Sequence, residues 1–510
     1  MISAYSGTAV RAAEEPLLRQ GLGPALMQRA AHGLHAAAAR QLHRRGRIYG
    51  AVVMVLAGAG NNGGDALYAG ARLAARGASV TALLFAGRAH PEALAELIRC
   101  GGSVRSQPDP ASAAGLCRDA DLVLDGLLGT GGKGGLRGPA AELAKALVPA
   151  RDNQGTGPFI LATDLPSGID ADTGAAAGPH IRADATVTFG AWKTGLMAGP
   201  GAAAAGTVEC VDIGLGPYLG EPELHRLEAA DLAEAVYRPL ATDHKYTRGV
   251  LGVAAGSATY PGAAVLAVGA ALATGVGMVR YLGAPDVARL INIAHPEAVC
   301  SGGRVEETHV QAWLAGPGAG TDEEQRLRAR AAMAAELPAV IDADALSEVH
   351  PGLGAETVLT PHAGELARLL GALDEPVERE QIEADPLSWA RRAAALTGAT
   401  VLLKGWATLA AGPDGTAYSQ AEATAGLATA GSGDTLAGIL GALLATDHTA
   451  PDERTPGHYA HLAAAAASLH GLAGCRAARG GPVEPSKLPA EIRSVVAELT
   501  TGDGTGRGKV

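Results

Sequence analysis

Aromatic side chains are scarce in this 510-residue sequence: Phe, Trp and Tyr together make up 3% of it. Its cores must therefore be filled by small and aliphatic residues. The five cysteines, Cys100, Cys117, Cys210, Cys300 and Cys475, include no C-x-x-C pair. The spacing used for zinc or thiol exchange is thus missing, and the thiols fit a reducing cytosol, the expected location. No block of one charge is present either. With 41 basic and 52 acidic residues the formal net charge is −11, which excludes the basic face of a general nucleic-acid binder; a small anion held by backbone N–H groups stays compatible. Long apolar runs are also lacking. The most hydrophobic window, Gly262 to Val279, has 11 Gly, Ala or Thr among its 18 residues and reads as a buried helix, not a membrane span. Arg11, Glu14 and Glu15 precede any apolar run, so no secretory segment and no membrane partner are expected.

Glycine, in contrast, is abundant: 71 residues, about twice its usual share. With 47% hydrophobic residues the chain is too apolar for a disordered composition, so the placement of the glycines carries the information. Short β-branched runs that end in glycine and pass into Ala/Leu-rich stretches recur, the pattern of α/β units around a parallel sheet. Strands are expected at Ala51–Leu56, Val80–Phe85, Leu122–Asp125, Ile160–Asp164, Ala185–Phe189 and Val208–Ile213, with a helix from about Ala66 to Ala75. The rhythm breaks over the polar stretch 218–242, which contains Pro222 and Pro239, and restarts at Val250. Further strands are expected near Val340, Val358–Thr360 and Val401–Leu403, and a helix is entered at Gly431–Asp434. Residues 37–45, with Arg40, His43, Arg44 and Arg45, read as a solvated helix end. The polar, Gly-rich residues 499–510 read as a flexible tail.

Gly58-Ala-Gly-Asn-Asn-Gly63 follows a strand and satisfies G-x-G-x-x-G, the dinucleotide fingerprint. Its second requirement fails: the next strand ends in Leu83-Leu-Phe-Ala-Gly-Arg88, with no acidic residue for a ribose. Glycine N–H groups at a helix start still suit phosphate. Three more segments lie where strands end, the ligand edge of open α/β sheets: Asp125-Gly-Leu-Leu-Gly-Thr-Gly131, Asp164-Leu-Pro-Ser-Gly-Ile-Asp170 and Phe189-Gly-Ala-Trp-Lys-Thr-Gly195. Asn62, Asp125 and Ser167 form a hard oxygen set suited to an alkali or alkaline-earth cation and not to zinc, leaving Asp164 free as acid or base.

Together, NNGGD, DGLLGTG, DLPSGID and GAWKTG resemble the NAD(P)H-hydrate epimerase family over residues 1–217. The resemblance implies a Rossmann-like three-layer domain that interconverts the R and S forms of hydrated NADH or NADPH at nicotinamide carbon 6. Asn61, Asn62, Gly63, Gly64 and Asp65, then Gly129, Thr130, Gly131, Gly132, Lys133, Gly134 and Gly135, would hold the hydrate, and Asp164 would contact it. Asn62, Asp125 and Ser167 would bind potassium. One departure is visible: Ala66 stands where the family loop has a last Gly.

In the second half, Thr429-Ala-Gly-Ser-Gly-Asp434 feeds an apolar helix, so its N–H donors can stabilise a phosphoryl group in transfer while Asp434 takes the attacking hydroxyl's proton. Upstream, Lys404-Gly-Trp-Ala-Thr408 offers a cation and a flexible turn for a nucleotide, with a surface hairpin as the other reading. With Gly256-Ser-Ala-Thr-Tyr-Pro-Gly-Ala263, Gly316-Pro-Gly-Ala-Gly320, Asp342-Ala-Asp-Ala-Leu346 and Thr360-Pro-His-Ala-Gly-Glu365, these motifs resemble the ribokinase-like superfamily. Within it they resemble the ADP- or ATP-dependent NAD(P)H-hydrate dehydratases, with a leaning toward ADP, over a domain at residues 243–498 after a linker at 218–242. The resemblance implies a ribokinase-like α/β domain with the hydrate against Ala263, Gly318, His362 and Asp434. The nucleotide would lie against Lys404, Gly405, Trp406, Ala407, Thr408 and Gly433, with magnesium on its phosphates. His362 would otherwise be a capping or packing histidine. The expected whole is a bifunctional repair enzyme, a homo-oligomer with no nucleic-acid partner. The alternative is a vitamin-precursor kinase with an N-terminal regulatory nucleotide-binding module.

Overall fold

Val53, Val55 and Ala57 belong to one apolar core and Met54 and Leu56 to another. A strand whose alternate residues enter two cores must lie in the middle of three layers. The computed structural model bears this out, describing residues 1–132, 134–147, 157–455 and 457–501. Contacts divide the chain into two units, Ser3–Glu223 and the chain from Leu224 onward with Met1–Ile2.

The first unit opens with helices α1 (Gly7–Arg19) and α2 (Gly23–Arg44), the latter started by Pro24. There follow β1 (Val52–Ala57), α3 (Asn61–Ala74), β2 (Ser79–Leu84), α4 (Pro91–Arg99), β3 (Ser103–Ser106), α5 (Pro110–Arg118) and β4 (Leu122–Gly126). The unit closes with α6 (Gly138–Leu147), β5 (Phe159–Thr163), β6 (Ala185–Phe189), α7 (Gly199–Ala204) and β7 (Thr207–Val211). Seven of its strands form one sheet in the order β3-β2-β1-β4-β5-β6-β7, all parallel. This is the Rossmann-like arrangement. The order reverses between β1 and β4, so the loops after these two strands diverge and open a crevice at the switch point.

The expected helix start at Ala66 moves to Asn61. Asn61, Asn62, Gly63 and Gly64 are poor helix formers, yet Gly60 is extended (φ −95°, ψ −170°) and the helix begins directly after it. Close approach explains two of the glycines. A Cβ on Gly58 would lie 2.0 Å from the Leu127 carbonyl oxygen, and one on Gly63 would lie 2.1 Å from that of Gly58. Ala66 is fully buried within α3 against Gly126, where its methyl group fills the space a glycine would leave. Within residues 37–45, Arg40, His43, Arg44 and Arg45 are exposed as expected, with Arg40 paired to Glu209, whereas Ala37, Ala38, Ala39 and Leu42 are buried on the core side of α2.

The second unit contains β8 (Leu224–Arg226), α8 (Ala229–Ala235), β9 (Val250–Ala254), α9 (Pro261–Thr274), β10 (Met278–Leu282), α10 (Pro285–Ala294), β11 (Val299–Ser301) and β12 (Ala312–Ala315). It continues with α11 (Glu323–Met333), β13 (Ala339–Ile341), β14 (Thr357–Leu359), α12 (Ala363–Ala372), α13 (Arg379–Ala384), α14 (Pro386–Thr397) and β15 (Thr400–Leu403). The last elements are β16 (Thr408–Ala411), β17 (Ala417–Gln420), α15 (Ser432–Thr446), α16 (His458–Ala478) and α17 (Leu488–Thr501). The sheet order is β11-β10-β9-β12-β13-β14-β15-β16-β17-β8. Pairing is parallel from β11 to β15 and antiparallel through the hairpin β15-β16-β17. Residues 218–242, read as a linker, hold a strand and a helix: β8 pairs with β17, and Leu224, Leu227, Leu232 and Val236 of the segment are buried.

The dearth of aromatics becomes intelligible between α9 and α15. A Cβ on Gly438 would stand 2.2 Å from the Ala267 carbonyl oxygen, so the two Ala-rich helices touch backbone to backbone. The window read as a buried helix is α9, ended by Gly275 at φ 111°. Among the described residues no helix is long and apolar enough to cross a membrane. The C-terminal helix reaches Thr501; residues 502–510 of the expected tail lie outside the described residues.

Candidate active sites

In the first unit the N–H groups of Asn61, Asn62 and Gly63 begin α3 without a backbone acceptor among the described residues, so they face the crevice as free donors. The second loop folds onto them. Asn62 Nδ2 donates to the carbonyls of Leu128 (2.9 Å) and Thr163 (2.7 Å). A Cβ on Gly129 would meet Asn62 Cγ at 2.9 Å. Arg11, from α1, donates to the Thr130 carbonyl. Gly134 and Gly135 take positive φ of 82° and 76°. Gly131 and Gly132 belong to the same turn, while Lys133 lies outside the described residues.

Asp164 follows β5 in a left-handed conformation, φ 67°, which strains a residue with a Cβ. Its Oδ1 accepts from Lys193 Nζ at 2.5 Å, Thr188 Oγ1 at 3.1 Å and the Phe189 N–H at 3.2 Å. Lys193 is 1% exposed and also donates to the Phe189 carbonyl at 2.8 Å. One carboxylate oxygen is thereby saturated, and Oδ2 is left for a ligand. A cleft of about 440 Å³ opens beside the start of α3, lined among others by Glu14, Asn61, Asp65, Tyr68, His90 and Phe189. Burial, reinforced by the charges of Asp164 and Glu14, pushes the Asp65 carboxyl well above the ordinary range, and its Oδ1 is buried without a partner. Burial raises Glu14 as well.

Asp125 and Ser167 meet directly. Ser167 Oγ donates to Asp125 Oδ1 at 2.6 Å and the Ser167 N–H to Oδ2 at 2.8 Å. The Leu128 N–H donates to Ser167 Oγ at 2.9 Å, and the Leu128 carbonyl accepts from Asn62, so all three residues of the expected cation set converge on one backbone segment. Fully buried, Asp125 has a pKa pushed up to about 6 by desolvation, against the pull of its Ser167 bonds. A carboxyl with neutral neighbours, an amide and a hydroxyl is a donor set that fits a monovalent hard cation.

In the second unit, the N–H groups of Gly433 and Asp434 open α15 without a backbone acceptor among the described residues, behind Gly431 at φ 91°. A cleft of about 700 Å³ runs past them and is lined by His362, Lys404, Gly405, Trp406, Thr408, Gly433 and His470 among others. Trp406 is 57% exposed at its rim, whereas Ala407 is buried. Lys404 binds Asp342 Oδ1 at 2.9 Å and stands 3.7 Å from Glu365, and a Cβ on Gly433 would lie 3.6 Å from its ammonium. Burial works against the Lys404 charge, but the carboxylates of Asp342 and Glu365 outweigh it and raise its pKa. Asp434 is pushed up to about 6, by burial first and then by the Asp342 charge, with Lys404 opposing.

His362 is a capping residue, the reading left open by sequence. Its Nδ1 accepts from the N–H groups of Gly364 (3.0 Å) and Glu365 (3.3 Å), yet the ring still edges the same cleft. Ala263 and Gly318 lie against each other, where a Cβ on Gly318 would reach Ala263 Cβ at 2.6 Å. The Gly256 N–H binds the Pro317 carbonyl, which fixes the two loops together. Sequence reasoning passed over Glu14, Tyr68, His90 and His470. The first three belong to no motif; His470 could have been noticed as a titratable residue in the run Leu462–Leu472, which apart from Ser468 is otherwise apolar.

Two α/β units, each presenting a carboxyl group beside donor-rich backbone at the carboxyl edge of a parallel sheet, define a two-site enzyme of phosphate-bearing small molecules. The sequence model for NAD(P)H-hydrate dehydratase matches residues 251–494, and that for the YjeF-related protein N-terminus matches residues 23–195. The bifunctional NAD(P)H-hydrate repair enzyme of Mycobacterium tuberculosis is 44% identical over 87% of this chain and 89% of its own. That of Mycobacterium leprae is 41% identical over 97% and 99%. The NAD(P)H-hydrate epimerase of Clavibacter michiganensis is 46% identical over 41% of this chain and 90% of its own. The chain belongs to the family of bifunctional NAD(P)H-hydrate repair enzymes. That membership does not favour the vitamin-precursor kinase reading.

Proposed function

We propose that the chain repairs hydrated NADH and NADPH in the cytoplasm, with residues 1–217 epimerising the R and S hydrates and residues 243–498 dehydrating the S form at the expense of ADP or ATP. The observation that carries this reading is the pairing of two different carboxyl environments, Asp164 fixed by Lys193 and Asp434 at an open helix start.

For epimerisation, the phosphates of the hydrate bind the N–H groups of Asn61–Gly63 and the glycine turn from Gly129 to Gly135. The carbon 6 hydroxyl meets Asp164 Oδ2. A proton passes from the Asp164–Lys193 pair to that hydroxyl, the C–O bond breaks with help from the ring nitrogen lone pair, and water leaves an iminium. Water then adds to either face and returns the proton to the pair. The orphaned Asp65 Oδ1 is positioned to accept from a ligand donor. Asn62, Asp125 and Ser167 would hold potassium. When bound, the ion supplies a positive charge that balances Asp125 and draws the two loops together.

For dehydration, Trp406 and the turn from Lys404 to Thr408 take the nucleotide, whose phosphates bring magnesium as a charge-neutralising ion. The S-hydrate lies along Ala263, Gly318 and His362. Asp434 accepts the proton of the carbon 6 hydroxyl as its oxygen attacks the terminal phosphoryl group, the bridging P–O bond breaks to release AMP from ADP or ADP from ATP, and the N–H groups of Gly433 and Asp434 bind the oxygens that gain charge. Phosphate then departs from carbon 6 and a proton from carbon 5, which restores the reduced ring.

The test is incubation with mixed R and S hydrates of NADH plus ADP or ATP, following absorbance of the reduced nicotinamide. Complete recovery is expected. Recovery that stops at the S fraction, after allowance for spontaneous epimerisation, would remove the epimerase, and a stable phosphorylated product would remove the dehydratase.

A further inference from the structure

At the start of α15, a hydroxyl hydrogen is left over. Thr435 Oγ1 donates its one hydrogen to the Ser432 carbonyl at 2.7 Å. His470 Nε2 lies 3.3 Å from that same Thr435 oxygen and 3.2 Å from Ser432 Oγ. With the Thr435 hydrogen spent, its oxygen can only accept from His470, so Nε2 carries the hydrogen and shares it between the two hydroxyls. In the other tautomer a ring lone pair would face the Thr435 lone pairs in a buried site. Ser432 Oγ is therefore an acceptor toward His470, and its own hydrogen remains unclaimed among the described residues. Ser432 is 5% exposed, and both it and His470 line the nucleotide cleft.

We infer that the Ser432 hydroxyl, positioned by the His470 Nε2–H, is a further donor to the phosphoryl group in transfer, beside the N–H groups of Gly433 and Asp434. The inference rests on the nucleotide-dependent dehydration proposed above. His470 suits the part because it stays neutral: burial lowers its pKa to about 4, with Lys404 adding to it and a bond to the Ser432 backbone opposing. A fixed hydroxyl has no reorganisation to complete as charge develops on the phosphoryl oxygens, and loss of one such donor acts on the chemical step more than on ground-state binding. His470 acts only through Ser432 and is a positioning residue.

The experiment compares Ser432→Ala, Ser432→Thr, His470→Leu and Asp434→Asn in the full chain, with kcat and nucleotide KM measured on the S-hydrate and melting temperatures checked. Expected are a fall of about 100-fold in kcat for Ser432→Ala with KM within about threefold, and recovery of most of the rate in Ser432→Thr, which restores the hydroxyl. His470→Leu should lower kcat in the wild-type background and add little on top of Ser432→Ala. A Ser432→Ala rate within about twofold of wild type, or a loss confined to KM, overturns the inference while leaving the dehydratase intact, provided Asp434→Asn is inactive. His470→Leu with unchanged kcat overturns the positioning role. A wild-type chain that recovers no reduced nicotinamide with either nucleotide overturns both the dehydratase reading and the inference.

Discussion

The two units solve the same problem, placing one carboxyl group at the edge of a parallel sheet, in opposite electrostatic ways. In the first, Asp164 is locked by Lys193, Thr188 and the Phe189 N–H on a strained backbone. In the second, Asp434 forms no ion pair among the described residues: Asp342 holds Lys404, which only opposes from a distance, and the same Asp342 helps to raise Asp434. The difference matches the chemistry proposed for each. A proton that must go out and come back suits a closed ion pair, whereas a base that takes one proton from an attacking hydroxyl suits a carboxyl whose affinity for protons is lifted toward neutrality.

The largest expected effects separate the halves. Asp434→Asn should reduce dehydration by about 10³-fold or more while epimerisation stays within twofold, and Asp164→Asn should do the reverse by about 10²- to 10³-fold. Parallel assays of both activities on each variant check this. Removing the cation should break the contrast through stability. Lys193→Met leaves a buried carboxylate unpaired, which costs about 3–5 kcal/mol and should lower the first calorimetric transition.

The pH dependence should sharpen the contrast next. With Asp434 titrating at about 6, dehydratase kcat/KM is expected to fall about tenfold per pH unit below that value. A smaller effect belongs to Trp406→Ala: nucleotide KM should rise about tenfold from lost stacking, with kcat unchanged. The smallest concerns potassium. Because the Asp125 carboxyl is raised to about 6 in the folded chain, its protonated form is favoured there; its contribution to stability is full below the ordinary carboxylate range and is lost as pH rises through 6. Potassium should therefore raise the melting temperature by a few degrees at pH 7 and by less at pH 5, where protons compete, and Asp125→Asn should remove the dependence.

Much of this was legible from residues. The strands announced themselves because β-branched runs such as Val52-Val-Met-Val-Leu56 end in glycine, and the glycine motifs marked the ligand edge. Helix starts were less legible. Asn61 to Gly64 oppose helix by propensity, and only the tertiary approach of Leu127 and Gly126 to the loop makes a helix there. The segment read as a linker hides a strand because its few buried residues, Leu224, Leu227, Leu232 and Val236, are scattered among polar ones. The partners that tune the sites, Glu14 beside Asp65 and His470 behind Ser432, come from remote helices, and a local pattern cannot encode a contact across 38 residues.

The claim that two independent carboxyl sites act in sequence is tested most directly on the pure R-hydrate of NADH with ADP or ATP. Wild type should recover all of the reduced nicotinamide, Asp164→Asn should recover it only at the rate of spontaneous epimerisation, and adding Asp434→Asn protein to Asp164→Asn should restore the wild-type course. If Asp164→Asn alone recovers the R-hydrate as fast as wild type, the first site is not the epimerase and the account is contradicted.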